Sequence, residues 1–155
     1  MPSQTCARIQ VRATSTASVN DAWNLLIDWQ AQSRWIPLTR VVNDNSITGA
    51  GARFTARTGF SHLGFDDPME VTVWEPPGPR TAGRCAVVKH GRWIRGTAEI
   101  LVAPTPGSHF RTAITWIEDV RVAGVPATFN PLVRVFGGAL FRRALRLALR
   151  ELEVR

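Results

Sequence analysis

Glu118 is the residue whose type and position best suit chemistry. Phe110, Thr112, Ile114, Trp116 and Glu118 alternate along one strand face, and the apolar members mark that face as the inner one. A carboxyl at the end of such a face stands in or at the rim of a cavity. Loss of water there raises its pKa unless a partner holds the charge, so it can act as a general acid or base or hold a ligand hydroxyl. The competing reading is that Glu118 and Asp119 mark the exposed end of the strand. His62 is the second catalytic candidate, because the segment from Gly59 to Pro68, read as a loop, also carries Phe60 and Phe65, a combination suited to gating a cavity. An ordinary loop histidine is the alternative. His90 beside Gly91 and His109 at a strand start read as exposed.

Other chemistries lack their signatures. No His-x-x-x-His, His-x-Glu or Cys-x-x-Cys spacing occurs, so no metal site is expected from local motifs. Gly49-Ala50-Gly51 lies between strands and does not open a helix, so it is not a phosphate loop, and there is no Gly-x-Ser-x-Gly elbow. No cofactor is expected. Cys6 and Cys85 lie far apart, in apparent strands, and read as reduced core residues.

Composition sets the frame. The chain has 155 residues, 45% of them hydrophobic and 20% charged, which suits one domain spanning 1–155 with one core. No apolar run approaches a membrane span, and Met1 to Arg12 has no continuous apolar core of a secretion signal, so the expected location is cytoplasmic. The formal charge is +7, and every basic residue except Lys89 is arginine. The basic residues are dispersed, and Arg8, Arg12, Arg53, Arg57, Arg92 and Arg95 each fit a solvent-facing alternation on a strand. Only Arg142, Arg143, Arg146 and Arg150 cluster, either as a solvated helix face or as the working face of a peripheral membrane or partner-binding module, with anionic lipid headgroups as one contact. No nucleic-acid module is recognisable, so a nucleic-acid partner is not expected.

The elements that must position Glu118 follow from periodicity. Ala7 to Ala13 alternates as a strand. Ser18 with Asp21 makes a capping box ahead of the stripe Val19, Ala22, Trp23, Leu26 and Ile27, and Trp29 to Trp35 forms a short second helix. Strands follow at Leu38 to Asp44, Ala52 to Thr58, Met69 to Trp74, Cys85 to His90, Trp93 to Ala103 and Phe110 to Val120. Trp74 and Trp93 are read as facing outward. Asn130 to Leu152 is the terminal helix, with Asn130 as its cap and Pro131 in its first turn. Gly137-Gly138 interrupts it, and the apolar sectors before and after that pair differ by about a third of a turn at 100° per residue. The pair therefore marks a bend or bare patch that makes room for a ligand, or a small-residue contact between helix and sheet. Together these elements give an α+β fold, a curved antiparallel sheet of six to seven strands around a long C-terminal helix.

In this order, Ala22-Trp23, Asp28, Trp35, Pro37, Gly51, the run MEVTVWEPP from Met69 to Pro77, Gly96-Thr97, Thr115-Trp116 and Glu118 resemble landmarks of the START-like or SRPBCC superfamily. The similarity runs from about Ile9 to Leu152, and the nearest branch is that called polyketide cyclase/dehydrase and lipid transport. The resemblance implies a helix-grip fold with a hydrophobic cavity between sheet and helix. It further implies a small hydrophobic ligand as partner, carried, sequestered or acted on by a cyclase or dehydratase. The expected lining is Trp35, Phe54, Met69 and Val71 from the first half of the chain, with Ile114, Trp116, Phe136 and Leu140 from the second. One departure is that the chain has no tyrosine, so a cyclase mechanism relying on a phenol hydroxyl is excluded.

Overall fold

The computed structural model describes residues 6–154. The absence of a secretion signal is thus read partly from Met1 to Thr5, which lie outside the described residues. Seven strands, β1 (Ala7–Ser15), β2 (Thr39–Asn43), β3 (Arg53–Phe60), β4 (Leu63–Glu75), β5 (Gly83–His90), β6 (Ile94–Pro104) and β7 (Thr112–Val122), form one sheet in the order β1-β7-β6-β5-β4-β3-β2. Every neighbouring pair is antiparallel. Six consecutive strands with short turns pair in sequence order, and β1 closes the far side against β7. Helix α1 (Val19–Leu26) and a 3-10 turn (Trp29–Arg34) follow β1, and helix α2 (Asn130–Glu153) ends the described chain. No described helix is long and apolar enough to cross a membrane.

The sheet curves around α2, which packs against β1 and α1. Its second half supplies the buried stripe Ala144, Leu145, Ala148 and Leu149. Its first half does not: Leu132, Val135 and Phe136 are exposed. The two halves do face different surroundings. At the junction, a Cβ on Gly137 would stand 2.4 Å from the terminal methyl of Ile9 on β1, so the glycine marks a close contact between helix and sheet rather than room for a ligand. The far end of α2 is tied to the 3-10 turn. Glu151 accepts from Arg34 at 2.7 and 3.2 Å and from the Trp35 indole at 3.1 Å.

Several local expectations change. The cap of α2 is Phe129, one residue earlier than expected, because a short 3-10 turn (Ala127–Phe129) leads the chain into the helix. The Ser18 cap stands, its hydroxyl accepting from the Asp21 amide at 3.1 Å. Residues 59–68 are a β-hairpin rather than a loop: Phe60 pairs with Leu63, Gly59 with Gly64 and Thr58 with Phe65, so the connection is only Ser61 and His62. The hairpin runs beyond the core, so the alternation that identifies a strand fades there. Trp74 faces inward, edge-on to Trp23 at 5.4 Å, because a register shift between Val71 and Val73 inverts the alternation. Trp93 is exposed as expected, whereas Cys6 is exposed and precedes β1.

Candidate functional site

The antiparallel register brings three strands' charged side chains to one place. Met69 on β4 faces Lys89 on β5, and Glu118 on β7 faces Ala98 on β6, which in turn faces Val87. Asp67, Lys89 and Glu118 therefore converge on the inner face near one end of the sheet. The Lys89 ammonium donates to Asp67 Oδ2 at 3.0 Å, stands 3.5 Å from Glu118 Oε2 and lies 3.5 Å from the Met69 sulfur. The Trp116 indole N–H donates to the other Glu118 oxygen at 3.0 Å. Glu118 is only 3% exposed, so it is not a strand-end surface residue. Asp67 Oδ1 is buried with no hydrogen-bond partner among the described residues.

One ammonium thus serves two carboxylates inside apolar surroundings. Burial raises the pKa of Glu118; the Lys89 charge and the Trp116 donor oppose that shift, Asp67 adds to it, and the net direction is up. Burial by itself would strip Lys89 of its proton, yet the attraction of Glu118 and Asp67 outweighs it and holds the ammonium above its ordinary range. Lys89 is therefore a fixed cation and a hydrogen-bond donor, not a free-amine nucleophile. Nearby, burial pushes the Cys85 thiol up to about 12, which makes it inert as a nucleophile.

This cluster forms part of the wall of a cavity of about 190 Å³ between the sheet, the 3-10 turn and α2. The remaining wall is mostly apolar: Phe54, Met69, Val87, Ile100, Trp116 and Leu140 among others, with Thr39, Thr58 and Gln32 as the neutral polar exceptions. Trp29 stacks on Phe54 at 4.3 Å with the rings 8° from parallel, and both residues line the cavity. Trp116 and Phe141 pack at 5.2 Å. Among the described residues no cluster of His, Cys, Asp and Glu has the arrangement of a metal site.

Of the residues singled out from sequence, the cavity gathers Glu118, Phe54, Met69, Trp116 and Leu140. The other four ligand candidates do not line it. Trp35 is buried but turns its indole to Glu151, since a buried N–H needs an acceptor. Val71 and Ile114 lie on the correct sheet face but deeper, within the core beneath the helices. Phe136 is 71% exposed, because the first turns of α2 rise away from the sheet. His62 occupies the exposed hairpin turn, apart from Glu118. Arg142, Arg146 and Arg150 border a surface groove with Arg12 and Ala13, along the seam between β1 and the second half of α2.

Lys89 and Asp67 escaped the sequence reading, although signals existed. Cys85, Val87 and Lys89 alternate, so the chain's one lysine falls on the inner face. Asp67 follows from extending the Met69, Val71 alternation backwards, a step blocked by reading residues 59–68 as a loop.

The sequence profile of the family described as polyketide cyclase/dehydrase and lipid transport matches residues 7–155. The chain belongs to that family. Solved structures agree on the fold. The di-domain aromatase/cyclase StfQ of the steffimycin biosynthetic pathway superimposes with a TM-score of 0.74 at 13% identity, covering 98% of this chain and 52% of StfQ. This chain thus spans about half the length of that protein. A START superfamily protein from Mycobacterium smegmatis gives 0.71 at 13% identity, covering 94% of this chain and 97% of that one. The ZhuI aromatase/cyclase from Streptomyces sp. R1128 gives 0.63 at 16% identity, with 96% and 95% covered. No match was found among curated protein sequences.

Proposed function

We propose that this protein binds a small, largely apolar molecule of one or two rings, with an oxygen function of that molecule held by Lys89 and Glu118. The observation that carries the reading is a single buried ion cluster in the wall of an otherwise apolar cavity. Cavities of about 150 Å³ take up a benzene ring, so 190 Å³ suits a slightly larger aromatic and not a whole lipid chain. Trp29, Phe54 and Trp116 put aromatic rings in the cavity wall, which suits an aromatic ligand. Lys89 is a permanent donor for a carbonyl or phenolic oxygen, and Glu118 accepts from or donates to a hydroxyl. Family membership supports this reading.

The test is a titration with a fluorescent bicyclic naphthol, read by quenching of tryptophan emission, alongside native mass spectrometry of the protein as purified. Saturable one-to-one binding that weakens at least about tenfold in Lys89→Met supports the reading. A panel of such probes that leaves the emission unchanged overturns it.

A second reading, acid–base catalysis, has its own supporting observation in the raised pKa of Glu118 beside a fixed ammonium. In a β-hydroxy carbonyl substrate, Lys89 would hold the carbonyl oxygen while the Glu118 carboxyl gives its proton to the departing hydroxyl. The resulting carboxylate then takes the α-proton, so water leaves and Glu118 ends as it began. The aromatase/cyclase titles of StfQ and ZhuI fit chemistry of this type. His62 is given no part in it. Loss of turnover in Glu118→Gln with retained probe binding supports catalysis, and unchanged turnover removes it.

A further inference from the structure

The cavity lies at one end of the sheet, where β3 ends, β4 begins, β5 turns into β6 and β7 runs out toward α2. The large exposed hydrophobic residues concentrate at that same end. Phe60 and Leu63, at the hairpin tip, are 72% and 83% exposed. Trp93 stands in the β5–β6 turn, and Phe129, Leu132 and Phe136 stand at the start of α2, all exposed. Phe129, Leu132 and Phe136 border one apolar surface groove, while Phe60 and Leu63 stand at the β3–β4 turn and Trp93 at the β5–β6 turn. The tip residues also share a sheet face with the cavity: Phe60 pairs with Leu63, Thr58 with Phe65 and Ala56 with Asp67, a ladder running from solvent to the ion cluster.

Charge around this pole is positive. Arg40 is exposed on β2, Arg92 lies 5.8 Å over the Trp93 ring, and Arg134 is exposed on the first turns of α2. The carboxylates near them are already engaged, Asp66 with Arg57 and Asp119 with Arg8, each at 2.9 Å.

From this arrangement we propose that the cavity pole is a docking surface for an anionic lipid bilayer. Phe60, Leu63 and Phe136 enter the interface, while the arginines contact lipid phosphates. Apolar residues spread over a hairpin tip, a strand turn and the start of a helix, with exposed arginines beside them, suit a deformable anionic bilayer. Two copies meeting pole to pole would oppose their arginines. The arginine groove of Arg142, Arg146 and Arg150 lies over the second half of α2, where the helix's apolar residues are buried, so it offers charge without insertion. Resting on the ligand-binding reading above, docking at this pole sets the cavity mouth against the bilayer and gives an apolar ligand a path that avoids water. The docking itself requires no ligand.

The experiment is co-flotation of the protein with phosphatidylcholine vesicles, with and without phosphatidylserine. Binding is expected only with phosphatidylserine, to fall in high salt, and to weaken at least about tenfold in Phe60→Ser/Leu63→Ser. Thermal melting should be unchanged in that variant, because both side chains are exposed. Arg143→Glu/Arg146→Glu/Arg150→Glu should still float. The proposal is overturned if the intact protein fails to float, if only the arginine variant loses binding, or if sedimentation shows that the tip variant dissolves a dimer while vesicles bind neither form. Probe quenching in solution, without vesicles, reports on the cavity alone, so its failure is distinguishable from failure of docking.

Discussion

Lys89 holds two carboxylates on one ammonium, and substitutions on either side should differ in severity. Lys89→Met leaves Asp67 and Glu118 buried without a cation and is expected to cost about 3–5 kcal/mol of stability. Adding Glu118→Gln removes one of the stranded charges, so the double variant should be less destabilised than the sum of the singles. Denaturant unfolding of the four proteins gives the coupling; strict additivity would mean that the three groups do not act together. The same cluster sets a pH dependence. Glu118 ionises at a higher pH in the folded chain than its ordinary 4.5, so between 4.5 and its raised value the native state binds the extra proton. Stability contributed by Glu118 is therefore present below 4.5 and declines as pH rises through that window. The stability of the wild type relative to Glu118→Gln should fall across weakly acid pH and then level off. A difference that rises with pH would place the Glu118 pKa below its ordinary value instead. Lys89, held above 10.5, contributes stability that is lost only when pH rises through its own raised value, outside that window.

At the scale of elements, two glycines make opposite predictions. Gly96 has φ of +146°, and a Cβ there would lie 1.9 Å from the Asp119 carbonyl oxygen on β7. Backbone cannot step aside as a side chain can, so Gly96→Ala should cost about 3 kcal/mol by overpacking alone. Gly137→Ala would meet the Ile9 side chain, its terminal methyl at 2.4 Å and its Cγ1 at 3.3 Å, and the helix gains about 1 kcal/mol of propensity. Its melting temperature should stay close to the wild type, and a large fall would make that contact rigid. These positions also explain what was legible in sequence. Periodicity located all seven strands and both helices, because each buries one face and leaves the other wet. It failed where burial fails, at the hairpin tip, and where register shifts, at Val71 to Val73. The site divided in the same way. Trp116 and Glu118 follow from alternation along one strand, but the Lys89–Asp67 partnership is a cross-strand fact that depends on the β4–β5 register, and Trp35 follows a hydrogen bond to a residue 116 positions away.

For the molecule as a whole, the cavity and the apolar pole are neighbouring but separable. Ala98 lines the cavity and is buried, on the strand beside Glu118. In Ala98→Phe a ring would occupy much of the 190 Å³, space otherwise open to a ligand. Probe binding should then weaken at least about tenfold, with stability lowered by no more than about 1–3 kcal/mol. Its vesicle binding should match the wild type, because nothing at the hairpin tip or the start of α2 has changed. Phe60→Ser/Leu63→Ser should behave in reverse, binding the probe in solution while failing to float with anionic vesicles. If Ala98→Phe lost both activities, docking would depend on an occupied cavity, and the pole would be a surface completed by its ligand. If the two variants divide the activities between them, the bilayer surface and the binding site are independent devices. Their shared end of the sheet then does one thing that neither does alone, which is to bring the cavity mouth to the phase in which an apolar molecule dissolves.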